Sequence, residues 1–188
     1  MVGAGLVMSW ACGAGPHQTG QCRLPLAFVM NPVHTLEPSD ERLVLLAASH
    51  HRLTGRPLVD AGGDLRRALW EAGTVIVAHG TEPDPVFFYG NQRALTLFEM
   101  DWATFVRLPS RLSAEPLLRD ERAQLLAQVA RDGCIADYAG VRISSTGRRF
   151  RIEQAVVWNL IDEGGVCHGQ AAAFDRWQRL PVRGRTLE

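Results

Sequence analysis

Arg148-Arg149-Phe150-Arg151-Ile152-Glu153-Gln154-Ala155-Val156-Val157-Trp158-Asn159-Leu160-Ile161-Asp162 is the stretch whose reading decides the fold. At period two, Phe150, Ile152, Val156, Trp158 and Leu160 share one face, interrupted only by Gln154. The opposite face begins Arg151, Glu153 and turns apolar through Ala155, Val157 and Ile161. Such a pattern predicts a long central strand of an antiparallel sheet, with one core face throughout. Function is less legible: these residues suit a ligand-binding or partner-binding module better than an enzyme.

Working outward, turns and shorter strands flank this stretch. Ser144-Ser145-Thr146-Gly147 has the composition of a hairpin turn and joins it to a preceding strand over 134–143. Glu163-Gly164-Gly165 turns it back into a last strand over 166–174, with Trp177 packing its end. Upstream, Thr74 to His79 and Val86 to Tyr89 read as a hairpin around a Gly-, Asp- and Pro-rich turn. Asn91 caps a short helix over 92–98, and a second short helix over 101–106 turns Trp102 and Phe105 inward. Ser113 is expected to cap the longest helix, over 114–131, a crossover from the hairpin to the last three strands. Two further helices precede the sheet, one capped by Ser39 and stopped at Gly55, the other over 64–71. The expectation is an α+β fold: a five-stranded antiparallel sheet, helices on one face and an N-terminal helical extension. Residues 1–38 read as an atypical leader, 39–179 as one domain and 180–188 as a tail.

The 188 residues suffice for one good core. Net charge is zero and all twenty basic residues are Arg. The neutral balance argues against direct nucleic-acid binding by phosphate neutralisation. The missing Lys removes Schiff-base and P-loop chemistry. Four cysteines without a CxxC pair read as free thiols of a reducing compartment. No apolar run reaches membrane-spanning length, and no basic residue precedes the N-terminal apolar run as in an export signal. The expected location is cytoplasmic.

The order of elements resembles that of PAS-type sensor domains, and the residues resemble the MEKHLA family, a PAS-like group found in bacteria and photosynthetic organisms and at the C-terminus of some plant homeodomain-zipper proteins. The likeness runs from about Asp40 to Trp177. It is carried by Tyr89-Gly90-Asn91-Gln92-Arg93-Ala94-Leu95-Thr96-Leu97-Phe98, by 108–116 (Leu-Pro-Ser-Arg-Leu-Ser-Ala-Glu-Pro), by 137–150 and 155–162, and by Gly169-Gln170-Ala171-Ala172. The resemblance implies a cavity between sheet and helices, signalling through the sheet or flanking helices, and frequent dimers.

Asn91, Trp102, Arg111, Trp158, Asn159 and Gln170 are the polar or amphipathic residues expected to border such a cavity, with Gln154 as a weaker candidate. A buried amide needs a partner, which a ligand or a cross-strand group can supply. Arg111, Arg142, Arg148, Arg149 and Arg151 are the alternative, an anion site, weighed against ordinary paired surface arginines. Residues 91–131 hold neither Cys nor His, which disfavours a flavin-cysteinyl adduct and haem; the cofactor stays unidentified. Ser144 or Ser145 with Asp137 and His168 is the one triad that the strands offer, and the turn already explains both serines. The sequence therefore points to a non-enzymatic sensory or regulatory module with a small-molecule ligand, a homodimer partner or a separate signalling partner. An interaction-only domain with a filled core and a small cone-shaped α+β enzyme are the alternatives.

Overall fold

The computed structural model describes residues 37–114, 128–129 and 132–181. The leader up to residue 36 and most of the helix expected over 114–131 lie outside the described residues. Helix α1 spans Asp40–Thr54 and α2 spans Leu65–Glu71. The Ser39 hydroxyl accepts from the Arg42 amide at the start of α1, and Gly55 closes it in the left-handed conformation that glycine adopts without strain. Strands β1 (Val75–His79) and β2 (Phe87–Gly90) form the first hairpin. Short helices α3 (Gln92–Phe98) and α4 (Trp102–Phe105) follow. A 3-10 turn, Ser110–Ser113, then leads into Ala114, which is extended and bridges Arg142. Ser113 therefore ends this turn, its hydroxyl donating to the Ser110 carbonyl at 2.7 Å, instead of capping a helix at 114.

Strands β3 (Cys134–Ile143), β4 (Arg149–Ile161), β5 (Cys167–Phe174) and β6 (Arg176–Arg179) complete the fold. The antiparallel order is β2-β1-β5-β4-β3, with β4 central among the later strands as its length suggests. Strand β6 pairs with the first part of β4 and β5 with the last part, so together they run along one edge of β4.

The face assignment of β4 differs from simple alternation. Gln154 has φ 52 and is exposed, and the β3–β4 register slips beside it. It is a bulge residue, and one extra residue reverses every later side chain. Phe150 and Ile152 share a cluster with Ala155 and α3, whereas Trp158 and Leu160 share the other with α1. The period-two face through residue 160 is therefore two half-faces on opposite sides of the sheet. Neighbouring strands bend in step: Asp137 on β3 has φ 61 at a register slip, and β5 breaks from β6 at Asp175.

Two cores result. On the α3 face, Phe87 stacks on Phe105 at 4.6 Å, and Phe98 meets Phe150 edge-on at 5.3 Å. On the α1 face, Leu43, Leu46 and Leu69 cover Ile76, Ala78, Trp158, Leu160, Ala171 and Ala173. The extension helix α1 thus covers the sheet face opposite α3. At the bottom of the α3 side, Glu99 clasps the β3–β4 turn. Its carboxylate accepts from Ser144 Oγ at 2.8 Å, from Arg148 Nη1 at 2.6 Å and from Thr146 Oγ1. Those bonds, the Thr146 and Ser144 hydroxyls first, hold the Glu99 carboxyl below its usual pKa.

Candidate functional site

Antiparallel register places one residue from each of three strands in a row on the α3 face: His79 of β1 opposite Gln170 of β5, and Gln170 opposite Asn159 of β4. Val77, Ala172 and Val157 form the next row on that face. The row is polar where the rest of the face is apolar. Gln170 Nε2 donates to Asn159 Oδ1 at 3.4 Å, and Asn159 Nδ2 donates to the Val129 carbonyl at 3.4 Å. Both exceed the 2.7–3.2 Å of well-formed N–H···O bonds. Asn159 and Gln170 are half-buried, and among the described residues their side chains gain little hydrogen bonding in return for that desolvation.

His79 completes the row. Its Nδ1 lies 2.9 Å from the Gly80 carbonyl, which can only accept, so Nδ1 carries the proton and Nε2 is left as an acceptor. Burial pushes its pKa below the ordinary value, keeping the ring neutral near pH 7. Gly169 allows β5 to run this close to β1. At φ 150, a Cβ on residue 169 would sit 2.1 Å from the His79 carbonyl oxygen.

The remaining sequence candidates are dispersed. Asn91 is fully buried and its amide is fully engaged. Its Oδ1 accepts from the Ile76 and Ala94 amides at 3.1 and 3.0 Å, and its Nδ2 donates to the Thr74 carbonyl at 2.7 Å. That residue ties β1 to the start of α3. Trp158 lies on the other side of the sheet, edge-on to His50 at 4.8 Å, and its buried indole N–H has no hydrogen-bond partner. Gln154 is exposed at the bulge. Arg111 is exposed and pairs with Asp84 at 2.8 Å. Arg148 is held by Glu99, while Arg142 donates to the Tyr138 hydroxyl and lies over its ring. Three of the five arginines weighed as an anion site, Arg111, Arg142 and Arg148, thus have separate partners on separate elements.

Trp102 borders a cavity of about 390 Å³, but not beside Asn159 and Gln170. The cavity lies at α2, β2 and α4, lined among others by Trp70, Tyr89 and Arg66. Trp102 meets Trp70 and Tyr89 edge-on at 6.0 and 6.3 Å. The Tyr89 hydroxyl is buried without a partner, and burial raises its pKa above the ordinary range. An orphaned hydroxyl of this kind costs about 1–3 kcal/mol. Neither the place of His79 beside the amide pair nor the meeting of Tyr89 with Trp70 is visible in the sequence. Cross-strand register carries the first signal, and nothing in the sequence spacing carries the second.

The serine–histidine constellation is not assembled. Ser144 and Ser145 bond to Glu99 at one end of β4, while His168 Nε2 lies 2.7 Å from Asp162 Oδ2 at the other. Among the described residues, no group of three or more His, Cys, Asp or Glu residues can hold a metal ion. No helix among them is long and apolar enough to cross a membrane.

Comparison with known proteins bears on this geometry. The MEKHLA domain model matches residues 41–179. The homeobox-leucine zipper protein ATHB-9 of Arabidopsis thaliana is 31% identical over 170 residues, covering 82% of this chain and 20% of that protein. HOX32 of Oryza sativa subsp. indica, of the same description, is 29% identical over 115 residues, covering 59% of this chain and 13% of that protein. The chain thus spans a fifth or less of these relatives. Among solved structures, the PAS domain of a protein from Colwellia psychrerythraea superposes with a TM-score of 0.52 at 13% identity. That match covers 64% of this chain and 98% of the other, and it establishes a PAS-like fold.

Proposed function

Because the chain belongs to the MEKHLA family and has a PAS-like fold, we propose that it is a sensory or regulatory module whose α3 face reads a small molecule through Asn159, Gln170 and His79. Membership of the MEKHLA family and the PAS-like fold support a regulatory role over an enzymatic one. The observation that carries the ligand reading is the polar row itself: two half-buried carboxamides on adjacent strands, joined among the described residues by long 3.4 Å bonds. A carboxamide pair offers both donors and acceptors, and the neutral His79 adds an acceptor. The set suits an uncharged heterocycle or amide-bearing molecule with alternating donors and acceptors. Such a ligand changes the hydrogen bonding of three sheet strands at once and so couples occupancy to the α1 face through the same backbone. Its output passes to another chain, by homodimerisation or to a separate signalling partner, in the cytoplasm and without direct contact to nucleic acid.

The described cysteines suit a non-covalent ligand. Cys134 donates to the Leu53 carbonyl on the α1 side and Cys167 is exposed near the β4–β5 turn, so neither stands on α3 or α4. Native mass spectrometry of freshly purified protein, with near-ultraviolet and visible absorbance, tests the proposal. A stoichiometric non-covalent mass is expected. A bare mass, unchanged by incubation with cell metabolite extract, would overturn the ligand reading in favour of an interaction-only domain.

A further inference from the structure

The cavity at α2, β2 and α4 is separate from the amide row. Tyr89 belongs to the core cluster of the α1 face, whereas Asn159 and Gln170 stand on the α3 face. The volume, about 390 Å³, falls within the range of small-molecule sites. Trp70, Tyr89 and Trp102 give it an aromatic wall, and Trp70 remains 36% exposed, so its ring is accessible to a ligand.

Two hydrogen-bond donors in the lining lack full use. Tyr89 is 3% exposed and its hydroxyl has no partner. Arg66 is anchored from behind: Nε and Nη2 donate to Asp40 Oδ1 at 3.1 and 2.7 Å, and Nη2 also donates to the Pro38 carbonyl. Among the described residues, its Nη1 faces the Glu37 carboxylate at 3.8 Å, beyond hydrogen-bond reach. A guanidinium fixed on one edge and open on another is organised for a carboxylate. The Asp64 carboxylate in the lining is occupied as the cap of α2, accepting from the Arg67 amide at 3.0 Å.

We propose that this cavity is a second ligand site, taking a small aromatic carboxylic acid whose ring packs on Trp70 and Trp102 and whose carboxylate accepts from Tyr89 and Arg66. The lining balances Glu37 and Asp64 against Arg66 and Arg67, so the choice of a carboxylate rests on the Tyr89 hydroxyl and the Arg66 edge and not on net charge. The Tyr89 hydroxyl, kept protonated by burial, calls for an acceptor on the ligand.

Calorimetric titration of the full chain with 2-naphthoate, combined with nitrogen-15 spectra of the indole N–H groups, tests the site. Saturable one-to-one binding is expected, moving the Trp70 and Trp102 signals and leaving Trp158 and Trp177 in place. Tyr89→Phe deletes a hydroxyl that bonds to nothing in the protein, so it keeps the fold and weakens binding about tenfold. Arg66→Gln weakens it further, Trp70→Ala removes a half-exposed wall, and the neutral 2-naphthylmethanol binds at least about tenfold more weakly than the acid. Absent or unsaturable binding, equal affinity for acid and alcohol, binding of benzyltrimethylammonium as tight as the acid, or shifts confined to Trp158 and Trp177 would each overturn it. Replacement of Asn159 and Gln170 leaves this affinity unchanged, which separates failure here from failure of the α3-face site.

Discussion

On the α1 face, β1, β4 and β5 present Ile76, Ala78, Val156, Trp158, Leu160, Ala171 and Ala173 to Leu43, Leu46 and Leu69, and the strand residues are almost entirely apolar. On the α3 face the same three strands carry Val77, Ala172 and Val157 and then the polar row His79, Gln170 and Asn159. One side of each strand is committed to packing, and the other holds carboxamides whose bonds are long. The difference teaches where binding capacity resides: a filled apolar face stabilises, whereas a polar row with weak internal bonds costs stability unless something else satisfies it.

The line of bulges at Gln154 and Asp137 sets which residues belong to which face. Deleting Gln154 removes the extra residue and turns Val156, Trp158 and Leu160 toward α3. The expected outcome is the largest of any change considered, loss of cooperative folding and of the near-ultraviolet circular dichroism signal. Retention of a wild-type melting curve would show that the bulge does not fix the faces.

Trp158→Ala breaks the packed face without touching the polar one. Its expected cost is about 3–5 kcal/mol, measured by urea denaturation, because Trp158 is fully buried beneath α1. Each face also holds one histidine shielded from water, His50 on the inner side of α1 and the half-buried His79 in the row. Burial lowers both from the ordinary 6.5. The unfolded chain then binds more protons than the folded one between the folded value and 6.5, so stability is full above about pH 6.5 and falls as the pH drops toward the folded value. Melting temperatures from pH 7.5 down to 5 should decline, and His79→Gln or His50→Gln should each flatten part of the slope. A pH-independent midpoint would contradict neutral burial of both rings.

Gln154→Gly sharpens the comparison with a smaller effect of opposite sign. A non-glycine residue at φ 52 is strained, and relief of about 1 kcal/mol is expected from equilibrium denaturation, with the face assignment intact.

Much of the architecture was legible because its signals are local. Ser39, Asn91 and Gly55 announce helix ends, and turn chemistry announces the hairpins. The split of β4 was not legible, because Gln154 in a strand reads as a polar interruption and only its backbone angle makes it a bulge. That one residue moved Trp158 from the expected cavity to the opposite core. Asn159 and Gln170 were identifiable as amides out of place among apolar neighbours. Their contact with each other, and the position of His79 beside them, depends on register between strands far apart in sequence. The cavity at Tyr89 was hidden for a related reason, since Trp70, Tyr89 and Trp102 come from three elements that no spacing rule brings together.

The most direct test of the polar row is thermal unfolding of the ligand-free double variant Asn159→Leu/Gln170→Leu, read beside its native mass spectrum. If the amides are held for a ligand, the variant melts at or above the wild-type temperature, since weak internal bonds are exchanged for apolar burial, and the non-covalent mass disappears. A loss of more than about 2 kcal/mol with the bound mass retained would show instead that the two carboxamides hold the sheet together and that the ligand, if any, sits elsewhere.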